Sequence, residues 1–214
     1  MAKKIQIIPA ILAYNPDQFK QQWQKVAKNF KTFQLDILDD DFVASKNNLN
    51  PRQIKKIIKT ADLEIHLMVR DINSYLGPWA SLKNTKKIIW HYEATQDLED
   101  INTALKWLKT NKIKAGLAIN PKTKLKFILP LVKKFDTILV MGVEPGEMGQ
   151  KFNPKIFSKI KKLRKKFPEL NIEIDGGVNE KNYPKIIKAG ANLIVMGSYL
   201  QQAKNIKTAI NNLK

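Results

Sequence analysis

Cysteine is absent from this chain of 214 residues. That excludes a disulfide scaffold, thiol catalysis and cysteine-held zinc or iron–sulfur centres, and it is compatible with a reducing compartment. Histidine is nearly absent too, with only His66 and His91. Arginine is confined to Arg52, Arg70 and Arg164, so lysine carries most of the formal net charge of +19. No apolar run approaches the roughly 20 residues that a membrane span needs. The opening stretch, MAKKIQIIPAIL, holds a short apolar run interrupted by Gln6 and Pro9. It lacks the h-region of a signal peptide and reads as a first strand. A cytoplasmic protein without a membrane partner is the expectation.

A pI near 9.9 raises the question of nucleic acid. The densest basic cluster runs from Lys159 to Lys166 on one predicted helix, and no RNA-reading aromatic motif or Cys/His finger accompanies it. A solvated, lysine-rich surface accounts for the pattern, and its positive field would favour anionic substrates.

What is present is alternation. Apolar strand-like runs and amphipathic segments follow one another eight times. Strands are predicted at 4–8, 32–38, 63–69, 87–90, 114–119, 137–141, 171–174 and 192–196. Most are near-continuous apolar runs, as in parallel strands covered on both faces. Helices are predicted to begin near Asp17, Pro51, Ser74, Leu98, Lys124, Pro154, Tyr183 and Gln201. Asn50-Pro51 and Asn153-Pro154 each pair a capping side chain with a proline suited to the first helical position. Pro130 should shorten or kink the fifth helix. Eight repeats without a linker predict one (β/α)8 TIM barrel over residues 1–214, in preference to an open doubly wound sheet.

In such a barrel, function sits where the strands end. Asp36 and Asp175 interrupt or close apolar runs at such ends, and His66 lies at the end of the third. A buried carboxylate is costly unless something pairs with it, so this convergence points to acid/base or metal chemistry. His91 reads as a hydrogen-bonded structural histidine. Gly146 and Gly149 follow the sixth strand, Gly176 and Gly177 the seventh, and Gly197 and Ser198 the eighth. Glycines there let backbone N–H groups approach a phosphate closely.

These segments resemble the ribulose-phosphate 3-epimerase family along essentially the whole chain. Residues 8–12 (IPAIL) resemble its PSIL opening, and 34–39 (QLDILD) with Phe42-Val43 its HVDVMDG-x-FV segment. Residues 66–69 match HLMV, 91–94 (HYEA) resemble H-x-E, and 116–121 (GLAINP) resemble G-x-x-x-NP. Residues 141–152 (MGVEPGEMGQKF) resemble M-x-V-x-PGFGGQ-x-F, and 175–179 match DGGVN. The resemblance implies epimerisation at C3 of D-ribulose 5-phosphate and D-xylulose 5-phosphate. Asp36 and Asp175 would move the proton on opposite faces. Asp36, His66 and Asp175 would hold a divalent ion (Mn, Mg, Fe or Zn), which stabilises an enediolate. His66 would also contact the substrate. Met68, Met141 and Leu38 would form the apolar pocket wall, with Leu38 standing where the family has methionine. Gln34 takes the place of a family metal-binding histidine. A neutral amide is a poor zinc ligand, so the expected site is weak or empty, with preference shifted toward Mn or Mg. Ala10 replaces a substrate-contacting serine, and Glu147-Met148 replace Phe-Gly in the phosphate loop. An epimerase of another sugar phosphate, such as a hexulose 6-phosphate, and a phosphosugar-binding barrel without catalysis are the alternatives. Oligomeric state is left open, a homo-oligomer included.

Overall fold

The computed structural model describes residues 3–95 and 97–213. Eight parallel strands form a closed barrel in sequence order: β1 (Gln6–Ile11), β2 (Thr32–Leu38), β3 (Asp62–Met68), β4 (Thr85–His91), β5 (Lys114–Ile119), β6 (Thr137–Met141), β7 (Asn171–Asp175) and β8 (Leu193–Met196). The helices of the described residues are α1 (Pro16–Val26), α2 (Pro51–Ile57), α3 (Ile72–Ala80), α4 (Leu98–Thr110), α5 (Leu125–Ile128), α6 (Ile156–Lys166), α7 (Tyr183–Ala189), α8 (Ser198–Gln202) and α9 (Ile206–Asn211). None is long and apolar enough to cross a membrane.

The two-residue period of a strand divides the side chains. Phe33, Leu35 and Ile37 of β2, with Leu63, Ile65 and Leu67 of β3, face the helices and join the main apolar core. Their neighbours in sequence face the barrel axis. Asp36 lies opposite His66 and Gln34 opposite Glu64 in the β2–β3 register, and Glu64 lies opposite Lys87 in β3–β4. The axis is therefore layered. Near the strand N-termini, Lys87 Nζ bridges Glu64 Oε1 at 3.0 Å and Glu173 Oε2 at 2.6 Å, with all three side chains buried. Near the C-termini, β2, β3 and β7 carry Asp36, His66 and Asp175.

Several helix ends follow local chemistry. Asn50 forms a capping box with Gln53 at α2, with Pro51 at its start, and Asn15 caps α1 at Gln18 N. Helix α5 has only four residues, as Pro130 requires. Asn153-Pro154 does not open α6 directly: Asn153 Oδ1 accepts from Lys155 N, but the helix begins at Ile156. Helix α8 starts at Ser198, straight off β8, three residues earlier than the sequence suggests.

Candidate active site

At the C-terminal mouth, one pocket is lined by Asp36 and Asp175, by Met68 and Met141, and by Gly146, Gly149, Gly176, Gly177, Gly197 and Ser198. The structure thus brings the sequence-selected carboxylates and glycines to a single cavity. Leu38 is buried in the adjoining wall with Leu12, Val43 and Met68. His66, opposite Asp36 in the register, and Gln34, two residues earlier on β2, are fully buried.

The glycines after β6 and β7 permit a close approach of two loops. Gly176 has φ +99° and Gly177 φ +68°, in the region L side chains avoid. A Cβ on Gly177 would fall 2.6 Å from Phe152 N, and one on Gly176 would fall 2.4 Å from Val143 Cγ2. The β7 turn is therefore clamped onto the β6–α6 loop. Gln150 stiffens that loop by donating from Nε2 to the carbonyls of Glu144 and Glu147. Glu147 is exposed, so the carboxylate that replaces an apolar family residue stands in solvent.

At the floor, Gln34 Nε2 donates to Asp36 Oδ1 at 2.7 Å and to Asp175 Oδ2 at 2.6 Å. His66 Nδ1 lies 3.2 Å from Asp36 Oδ1 and 3.5 Å from Asp175 Oδ2. Burial pushes the Asp36 carboxyl above the usual range and outweighs its bonds to His66 and Gln34. Burial opposes charge on His66 as well, but the two carboxylates prevail and push the imidazole up to about 9. Ligand atoms of Asp36, His66 and Asp175 all lie within 4.8 Å of one another, close enough to share a divalent ion. Two carboxylates and one imidazole form a donor set that suits such an ion. Gln34 Oε1 is buried and without a partner, while Nε2 of the same amide faces both carboxylates.

Three features of the site were not read from the sequence. His91 Nε2 lies 2.9 Å from His66 Nε2, so at least one proton is held between the rings. Burial lowers the His91 pKa, and the His91 ring rests 3.5 Å from Glu93. Glu93 in turn accepts from Asn120 N and the Thr123 hydroxyl. Asn47 fixes the end of β2, donating to Asp36 O and accepting from Leu38 N. Met148 packs on the Leu12, Leu38 and Met68 wall and reaches across the mouth, where a Cβ on Gly197 would meet its methyl at 3.1 Å. His91, read as a hydrogen-bonded structural histidine, is so placed, though its partner His66 was not foreseen; the other two depend on how loops fold back.

Known proteins share this arrangement at two levels. Solved structures of a 3-hexulose-6-phosphate synthase (TM-score 0.72, 16% identity, 98% of each chain) and of the tryptophan synthase A-subunit of Pyrococcus furiosus (TM-score 0.72, 14% identity, 100% of this chain and 99% of that one) share the fold. In sequence, the chain is 33% identical to the ribulose-phosphate 3-epimerase of Schizosaccharomyces pombe over 97% of its length and 92% of the relative's. It is 30% identical to the one of Escherichia coli K12 over 99% and 96%. The model of the ribulose-phosphate 3-epimerase family matches residues 6–201, from the start of β1 into α8. With that match spanning every strand of the barrel, the chain belongs to the ribulose-phosphate 3-epimerase family.

Proposed function

We propose that this protein inverts C3 of a ketose phosphate, interconverting D-ribulose 5-phosphate and D-xylulose 5-phosphate. The observation that carries the reading is the pair Asp36 and Asp175, reaching one pocket from β2 and β7 beside the glycines that line it. One carboxylate removes the C3 proton, leaving an enediolate across C2 and C3. The other carboxyl returns a proton to the opposite face, and the roles exchange in the reverse direction. The raised pKa of Asp36 suits it to hold the proton that is delivered. The substrate phosphate is taken by backbone N–H groups around Gly146, Gly149, Gly176, Gly177, Gly197 and Ser198. Met68, Met141 and Leu38 keep water from the reacting carbons. With the Gln34 amide turned aside, Asp36, His66 and Asp175 would hold a divalent ion, with manganese or magnesium favoured over zinc; when bound, it would supply Lewis-acid stabilisation of enediolate charge.

The test is turnover of D-ribulose 5-phosphate by the purified protein, with the C3 proton followed by NMR in D2O. Epimerisation with solvent deuterium entering at C3 is expected. Turnover of a hexulose 6-phosphate instead, or of neither sugar, would replace this reading with one of its alternatives.

Met148 bears on affinity. Its methyl rests where an anion would reach Gly197, so it must swing aside or be pushed aside. Met148→Gly should lower KM by roughly tenfold, about 1.4 kcal/mol, with little change in kcat. Steady-state kinetics checks it, and an unchanged or higher KM would mean that Met148 closes over the substrate instead.

A further inference from the structure

Gln34 occupies the centre of the acid–base pair. Its Nε2 lies 2.6 to 2.7 Å from one oxygen of each catalytic carboxyl and 3.3 Å from His66 Nδ1. An amide nitrogen carries two protons, and two carboxylate bonds use both. The cost of this orientation is Oε1, left buried without a partner. The reversed amide would set an oxygen lone pair against both carboxylates, which only a cation between them could make favourable. What lies between Asp36 and Asp175 therefore decides which way the amide faces.

We infer that the Gln34 side-chain amide does the bridging that an ion would otherwise do, holding Asp36 and Asp175 in register so that the site is competent without metal. An ion can enter only by turning the amide, so Gln34 acts as a positioning residue that competes with the ion. The inference rests on the acid–base reading of the two aspartates. It also fits the proton traffic of that reading. An amide bridge is neutral, so it tolerates a carboxylate that gains and loses a proton, whereas an ion is held most tightly by the fully ionised pair.

Three proteins, dialysed against a chelator and checked for metal by mass spectrometry, decide it: the parent, Gln34→Glu and Gln34→Met. The ion-free parent should keep its epimerase activity within about twofold of the value with added Mn2+, and its melting temperature should not respond to Mn2+. Gln34→Glu has the same shape with an acceptor in place of the donor. Ion-free, it should melt lower and lose roughly 100-fold in activity through misplaced carboxylates. Mn2+ should bind it more tightly than it binds the parent and restore both properties. Gln34→Met, which should keep the fold, removes the bridge without adding a ligand. Its ion-free activity should fall, and Mn2+ should restore less of it than in Gln34→Glu. An ion-free parent that is inactive until Mn2+ is added overturns the inference. So does a Gln34→Glu protein whose ion-free melting and Mn2+ affinity equal the parent's. A parent inactive with and without Mn2+ would instead refute the epimerase reading, and the melting and Mn2+-binding comparisons would still decide the bridge.

Discussion

Asp36→Asn and Asp175→Asn should each lower kcat by about 10³- to 10⁴-fold while leaving KM within a few-fold. Each amide keeps the shape of the carboxyl and cannot accept a proton from carbon. The loss is expected in kcat because the proposed mechanism has the aspartates act on C3 and the phosphate held elsewhere, by loop N–H groups. The two variants should also differ in kind. If each aspartate serves one face of the sugar, removing one leaves the other able to exchange the C3 proton of a single epimer. Deuterium should then still enter one of the two pentuloses in each variant, the opposite one in the other, without interconversion. The double variant should be barely slower than either single one, since both carboxyls serve the same pathway. A single variant that keeps more than about a tenth of the parental kcat would remove that aspartate from the proposed role, given the size of acid–base contributions.

The second large effect lies at the other end of the barrel. Lys87→Met should destabilise the fold by about 3–5 kcal/mol, measured by urea unfolding, because it strands Glu64 and Glu173 without their cation. Activity per folded molecule should change little, since the layer of Asp36 and Asp175 lies above. The pH dependence has a definite sign. Burial and the neighbouring Glu173 push the Glu64 carboxyl from 4.5 up to about 8, against the pull of Lys87. The folded chain then keeps a proton that the unfolded chain gives up. This group's contribution to stability is greatest below about pH 4.5, falls as pH rises to about 8 and is level above that. The cost of Lys87→Met should accordingly be larger near pH 9 than near pH 5, and Glu64→Gln should flatten the parental slope. A loss below about 1 kcal/mol across that range would mean that water or a shifted backbone compensates the carboxyls.

The barrel was legible because its period is simple. Near-continuous apolar runs, alternating with amphipathic segments, fixed seven strands to within a few residues. The first strand was placed too early, at 4–8 instead of Gln6–Ile11. Pro9 looks like an interruption, since it lacks an N–H for the ladder. It is accommodated where β1 passes from pairing with β8, through Gln6 to Pro9, to pairing with β2 at Ala10 and Ile11. Asp36, His66 and Asp175 stood out as polar residues at the ends of apolar strands. Glu64, Lys87 and Glu173 carry the same signature two to four residues upstream and went unread, because attention to strand ends passes over the opposite mouth. The amide bridge from Gln34, the His66–His91 contact and the seat of Met148 were not legible. Each depends on ångström-scale register across strands or on the path of a loop, which composition and period do not encode.

The seam between β1 and β8 has a consequence for the birth of the chain. Closure rests on four paired positions, Gln6 to Pro9 against Leu193 to Met196. On a ribosome adding roughly 5–20 residues per second, β1 emerges first and waits on the order of ten seconds or longer for its last neighbour. Throughout that wait the nascent sheet is an open ribbon, with β1 at one margin and the newest strand at the other, each offering unpaired backbone groups to any passing strand. With only four paired positions, that waiting edge is short, and so is a poorer template for misassembly before the ring is sealed.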